Sequence, residues 1–231
     1  IYNINDVNKS LFKKKIIIGS ANFTQKYGAE KIKINTHEIK KILNFAKKNY
    51  INEIDTAEAY LKNKNIFKNI KKNFRFSSKV LPDSKWHSLE FCEKKLTKHL
   101  NNLNTDKLET LLFHDTKILY SNNAFKIFKN LEVLKKKEYF KKIGISVYDT
   151  KSLNYIVNNF DLDVVQCPYN ILDKRILTTG WFDRLKYRGI EIHVRSIFLQ
   201  GLLVNKMVYQ NRYFKKWQKK IYNWFLSHEE N

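Results

Sequence analysis

The sequence predicts an α/β protein of alternating parallel strands and helices. It reads as a (β/α)8 barrel with seven βα units present and the eighth strand and helix absent. Three observations lead there. Seven short apolar runs alternate with seven amphipathic segments, the rhythm of a parallel sheet wrapped in helices. No Gly-rich dinucleotide fingerprint follows the first run, which weighs against a doubly wound open sheet. Polar residues recur where the runs end: Ser20, Asp55, Lys79, His114, Ser146, Gln166 and Ser196. In a barrel those ends converge on one mouth, where catalytic groups gather; in an open sheet they would be strung along an edge.

Each element has its own signal. Ile16-Ile17-Ile18-Gly19-Ser20 is a short apolar run closed by small residues, as in a buried parallel strand. Ala21 to Gly28 reads as a loop with aromatic anchors. Thr36 is placed to cap a helix with Ile39, Ile42, Leu43 and Ala46 on one face. Ile51 to Asp55 supplies the second strand, followed by a basic helical segment from about Leu61 to Lys72. Arg75–Val80 is the third strand, and Leu89, Cys92, Leu96, Leu100 and Leu103 then repeat at helical spacing. Leu108–Phe113 is the fourth, running into His114 and Asp115. A helix with Phe125, Phe128, Leu131 and Leu134 on one face leads to the fifth, Ile143–Ser146. Leu153, Ile156 and Val157 mark the next helix. Val164–Cys167 is the sixth strand, Trp181 and Leu185 mark a helix, and Ile192–Ser196 is the seventh strand. Phe214, Trp217, Ile221 and Trp224 outline a last amphipathic helix; its aromatic and lysine content also suits a membrane surface, but a barrel-packing face is the preferred reading.

Composition removes several classes. The chain of 231 residues is read as one domain over 1–231, since only two prolines and six glycines occur and no linker-like stretch interrupts it. No apolar run is long enough for a membrane helix, and the first residues lack the apolar segment of a signal peptide. The absence of an initiator Met and of an eighth unit is read as the mark of a fragment. A net charge of +22 suggests nucleic acid, but Lys, Asn and Ile are all over-used, as A+T-rich codons produce. The lysines are spread over many helix faces, so no specific nucleic-acid partner is expected, only weak, salt-sensitive binding to polyanions. Cys92 and Cys167 lie far apart and read as buried thiols of a reducing, cytoplasmic compartment. His37, His87, His99, His193 and His228 show no metal-ligand spacing, and no metal site is expected.

The chemistry centres on Asp55 and Tyr60. An acid at the end of a buried strand requires a cation, because an unpaired buried carboxylate is costly. A tyrosine that donates a proton near neutral pH calls for a positive charge to lower its pKa. Lys79, at the end of the neighbouring third strand, answers both, and His114 at the end of the fourth completes the cluster. Alone, a strand-end Asp–Lys pair is more often structural and a lone histidine more often a loop cap; the four together, in this order, favour catalysis.

Asp55, Tyr60, Lys79 and His114 together resemble the catalytic tetrad of the aldo-keto reductases. The surrounding residues fit as well: Ile54-Asp55-Thr56-Ala57, Gly144-Ile145-Ser146, Gln166 followed by Tyr169-Asn170, and the run from Arg195 to Leu202. Nearly the whole chain is covered, and it looks most like short bacterial members, some associated with sugar and surface-polysaccharide metabolism. The resemblance implies reduction of an aldehyde or ketone, sugar-derived in the nearest reading, by hydride from a nicotinamide. Tyr60 would give the proton, Lys79 would lower its pKa, Asp55 would hold Lys79 and His114 would orient the carbonyl. Ser146 and Gln166 match the positions that hold the carboxamide. Arg195 stands where many members stack a tyrosine on the ring, and Ser196, Phe198 and Gly201 match the loop along the pyrophosphate. NADPH is the family's expectation, with NADH left open, because the segment for the 2′-phosphate is not in the sequence. The sequence departs from the pattern at Val147, often Asn, and at Leu61 to Asn65 after the tyrosine. The altered loop after Tyr60 and the missing C-terminal segment support an alternative: a barrel that binds or regulates without turning over. Neither a substrate identity nor an oligomeric state is legible.

Overall fold

The computed structural model describes residues 16–28, 33–61, 65–68, 70 and 74–201, with single positions at 203, 223 and 227. The predicted helix around Phe214, Trp217, Ile221 and Trp224 falls outside the described residues.

Among the described residues, seven strands form one sheet in chain order, all parallel: β1 Ile18–Gly19, β2 Glu53–Ala57, β3 Arg75–Val80, β4 Leu108–Phe113, β5 Phe140–Ser146, β6 Val164–Pro168 and β7 Glu191–Arg195. The helices between them are α1 Ala21–Thr24, α2 Thr36–Lys48, α3 Asn65–Lys68, α4 Leu89–Leu103, α5 Ala124–Lys136, α6 Leu153–Asn159, α7 Arg175–Thr178 and α8 Trp181–Tyr187. Sequential parallel pairing with helical crossovers curls the sheet into a half-barrel, an incomplete (β/α)8 barrel.

Alternation along each strand sorts the side chains. Ile54, Phe76, Leu111, Ile143 and Val165 are buried on the helix-covered face. The opposite face carries a polar layer in register: Asp55, Ser77, Thr110 and Lys142. Ser78 and Lys79 illustrate the split, since the Ser78 hydroxyl meets His99 of α4 at 2.8 Å while Lys79 reaches Asp55 inside the barrel. Each large apolar side chain wholly removed from water contributes about 1.5–3 kcal/mol, so the helix layer supplies most of the driving force. Gly144 is fixed by a close approach: a Cβ there would run into the Val164 carbonyl and Leu112 on the flanking strands.

Local signals explain the helices. Asn35, not Thr36, caps α2, its side chain accepting the Glu38 N–H at 2.9 Å. Ser88 caps α4, which ends at Asn104 in the left-handed region (φ 53°). Ile39, Leu43 and Ala46 are buried as expected, with Ile42 partly buried against them. In α5 Phe128, Leu131 and Leu134 are buried as expected, but Phe125 is 61% exposed and Ile127 packs inward in its place. Strand β5 begins three residues earlier than its apolar core, because Phe140 pairs with Leu108.

At the mouth, an added Cβ on Gly28 would strike the Gln200 carbonyl. The loop after β1 therefore touches the turn after β7, drawing the two outermost strands of the sheet together on the side where the strands end.

Candidate active site

Asp55 lies on β2 and Lys79 on β3, where Ala57 and Lys79 are register partners. Asp55 is thus one pleat below Lys79 on the same face, and the lysine side chain spans the step. Its Nζ lies 2.6 Å from both Asp55 oxygens. Lys79 is 3% exposed, and a charge so far from water persists only with a paired, hydrogen-bonded partner. Gln166 of β6 adds a third contact, its Nε2 donating to Asp55 Oδ1 at 3.2 Å. The carboxylate is thereby tied to both β3 and β6.

A one-turn 3₁₀ helix, Glu58–Tyr60, follows β2 directly and carries Tyr60 to the mouth. His114 follows β4, its backbone N–H donating to the Val80 carbonyl at 3.0 Å. The Tyr60 and His114 rings meet edge to face, centroids 6.2 Å apart and planes at 88°. The fields of the four groups overlap: Asp55 acts on Tyr60, and Lys79 and Asp55 act on His114. The structure thus brings all four residues singled out from the sequence to one rim.

The electrostatics differ from the expectation in one respect. Burial, then Tyr27, Asp55 and Tyr148, push the Tyr60 phenol up to about 12, and the cation that draws it down is Arg195. An ammonium-lowered phenol is not what the structure presents; desolvation outweighs the cations. His114 is held below the ordinary histidine value by burial first, then by Lys79 and Arg195, so it is neutral at pH 7.

The cofactor candidates divide. Ser146 and Gln166 are buried register partners, and the Ser146 hydroxyl donates to Gln166 Oε1 at 3.5 Å. Arg195 does not lie open-faced: it donates to the Val147 carbonyl at 3.0 Å, and its guanidinium rests 4.5 Å above the Tyr148 ring. Ser196 falls outside β7 with φ 60°, and its carbonyl accepts from Asn170 Nδ2 at 3.2 Å. Phe198 is exposed and Gly201 has φ 98° in the turn that follows. A cavity of about 420 Å³ opens between the loops after β4 and β5, lined by Asp115, Lys117, Ser146, Tyr148, Asp149 and Lys151. Ser146 lines this cavity and is bonded to Gln166, and a hydroxyl and an amide are the donor and acceptor types that a carboxamide such as a nicotinamide's requires.

Tyr27 and Tyr148 enter the site unannounced. Tyr27 is brought in by the loop after β1, and Tyr148 by the loop after β5; only an aromatic-rich loop hinted at the first. The Gln166–Asp55 bond was equally hidden, since 111 residues separate the partners. Among the described residues, no group of three His, Cys, Asp or Glu side chains is placed to hold a metal ion, and no helix is long and apolar enough to cross a membrane.

The molecule is thus a parallel β/α half-barrel that carries an Asp–Lys pair, a tyrosine and a histidine together at its mouth. The model of the aldo/keto reductase family matches residues 15–229, and the chain belongs to that family. No curated protein matches the sequence. The fold resembles aldo-keto reductase AKR11C1 from Bacillus halodurans in its holo form, with a TM-score of 0.65, 20% identity, and coverage of 82% of this chain and 64% of that one. It also resembles aldose reductase from Giardia lamblia, with a TM-score of 0.53, 16% identity, and coverage of 79% and 65%. At such identities the likeness concerns the fold, and the chain spans slightly under two thirds of either relative's length.

Proposed function

We propose that this protein is an NAD(P)H-dependent oxidoreductase that reduces the carbonyl of a small aldehyde or ketone, with Tyr60 as the proton donor. The observation that carries the reading is the contact of Lys79 Nζ with both Asp55 oxygens at 2.6 Å, beside the paired rings of Tyr60 and His114. A bound nicotinamide would supply hydride to the carbonyl carbon, with Ser146 and Gln166 holding its carboxamide. The protein's own residues handle the oxygen.

Neutral His114 offers the carbonyl oxygen a hydrogen bond without competing for a proton. Tyr60, with its phenol at about 12, is fully protonated at neutral pH and remains a far stronger acid than the alcohol it would produce. The proton therefore moves downhill from phenol to nascent alkoxide. The fixed charge of Arg195 stabilises the phenolate left behind, and the Lys79–Asp55 pair holds the floor of the site in place. Proton donation of this kind is worth about 10²–10⁴ in rate.

Tyr60→Phe is expected to lose about that factor in turnover on a panel of aldehydes while NADPH still quenches tryptophan fluorescence. Aldehyde reduction by the variant at the wild-type rate would reject Tyr60 as donor. NADPH binding by the wild type without any turnover would instead favour a binding or regulatory subunit.

A further inference from the structure

We infer that Glu58 is a positioning residue for Tyr60, clamping the turn that carries the phenol to the strand that carries Lys79. The inference rests on the reduction proposed above and identifies what sets the geometry of that site.

Tyr60 sits in a 3₁₀ turn of three residues whose Ala57 makes no side-chain cap bond, and which ends in a backbone bond from Leu61 N–H to the Glu58 carbonyl at 3.2 Å. So short a turn has little of its own to hold it, whereas proton transfer demands tight placement. Glu58, the first residue of the turn, provides the missing restraint. Its Oε2 accepts the Leu81 N–H at 2.9 Å, and its Oε1 lies 3.2 Å from Lys95 Nζ on α4. Leu81 comes two residues after Lys79, as Tyr60 comes two residues after Glu58. The bond therefore closes a short bridge between the two chain segments that must present phenol and ammonium together.

The far end of the bridge is rigid. The Leu81 carbonyl accepts from Trp86 Nε1 at 3.2 Å, and Trp86 is completely buried against Phe113 and Phe91. Lys95 is itself restrained, its ammonium 5.9 Å from the Trp86 ring and 5.8 Å from the Phe91 ring. Both polar groups of the Leu81 backbone are thus held, one by the tryptophan anchor and one by Glu58.

The test uses three variants and two readouts. Glu58→Ala removes both contacts, Glu58→Gln keeps an oxygen for the Leu81 N–H but loses the charge, and Lys95→Met removes only the ion pair. Hydrogen exchange at the Leu81 amide should accelerate in Glu58→Ala and stay slow in the other two. Turnover should follow the same pattern: kcat falls about tenfold to a hundredfold in Glu58→Ala with the KM for NADPH unchanged, and Glu58→Gln restores most of it. Unchanged kcat in Glu58→Ala, or losses in Glu58→Gln equal to those in Glu58→Ala and parallel to lost thermal stability, would overturn the inference. If the wild type reduces no carbonyl, the proposed activity fails, and Leu81 exchange alone then decides whether Glu58 holds the turn.

Discussion

His99 was legible in the sequence only as one of several histidines without ligand spacing. In the structure it is sealed between α4 and β3, bonded to Ser78, and burial pulls its pKa down to about 4. The folded chain therefore holds it neutral, whereas in the unfolded chain it takes a proton near its ordinary value of 6.5. Between those values the unfolded state binds more protons, so stability declines as pH falls from about 6.5 to about 4 and is unaffected by this group outside that window. The full effect is roughly 3 kcal/mol. Urea midpoints measured at neutral and at mildly acid pH should differ less in His99→Gln than in the wild type; an equal difference in the two would exclude His99 as the cause. At this same scale Asp55, Tyr60, Lys79 and His114 could be read from the sequence, because each is a polar residue closing, or following, an apolar run. The influence of Tyr27 and Arg195 on the phenol could not, since it arises from spatial approach across the mouth and from burial, which leave no local pattern.

The strands were readable as elements because buried parallel strands are near-continuous apolar runs between polar ends. Their limits were less so: β5 extends back to Phe140 through pairing with Leu108, and β7 stops before Ser196, whose φ of 60° takes the chain out of the sheet. Phe125 shows how an aromatic at helical spacing misleads, for it lies at the edge of the buried stripe, against Phe160. The cap of α2 also falls one residue before the expected Thr36, at Asn35, whose side chain is an equally good acceptor. Gly144 is the element-level constraint with the clearest consequence. Its neighbours are the backbone of β6 and a side chain of β4, neither free to retreat without opening the sheet. Gly144→Ala should therefore cost about 1–3 kcal/mol, the range for overpacking, or prevent folding. A denaturation midpoint equal to that of the wild type would show that β5 and β6 are not so tightly apposed.

Across the whole molecule the two ends of the half-barrel carry different tasks. At the end where strands begin, charges alternate: Glu53 with Arg75 at 3.5 Å, Arg75 with Glu109 at 3.7 Å, Glu109 with Lys141 at 2.9 Å and Lys142 with Glu191 at 2.5 Å. At the other end lie the cluster of Asp55, Tyr60, Lys79 and His114 and the cavity, as the division of tasks usual in this architecture leads one to expect. The family was legible over almost the whole chain because its signals sit at successive strand ends; how β7 and β1 face each other was not, because that depends on loops such as the one bearing Gly28. The two cysteines, unused by any chemistry proposed here, have a practical consequence. Cys92 on α4, donating to the Trp86 carbonyl, and Cys167 within β6 are both buried, and burial pushes each thiol up to about 11. At mildly alkaline pH only about one thiol in a thousand would be ionised while folded, against a sizeable fraction once unfolded near the ordinary value of about 8.5. An alkylating reagent should thus leave the native chain unmarked and tag it twice in denaturant. Partial tagging during a pulse would time the opening of the helix layer and the sheet separately, a stopwatch with two hands built into the polypeptide.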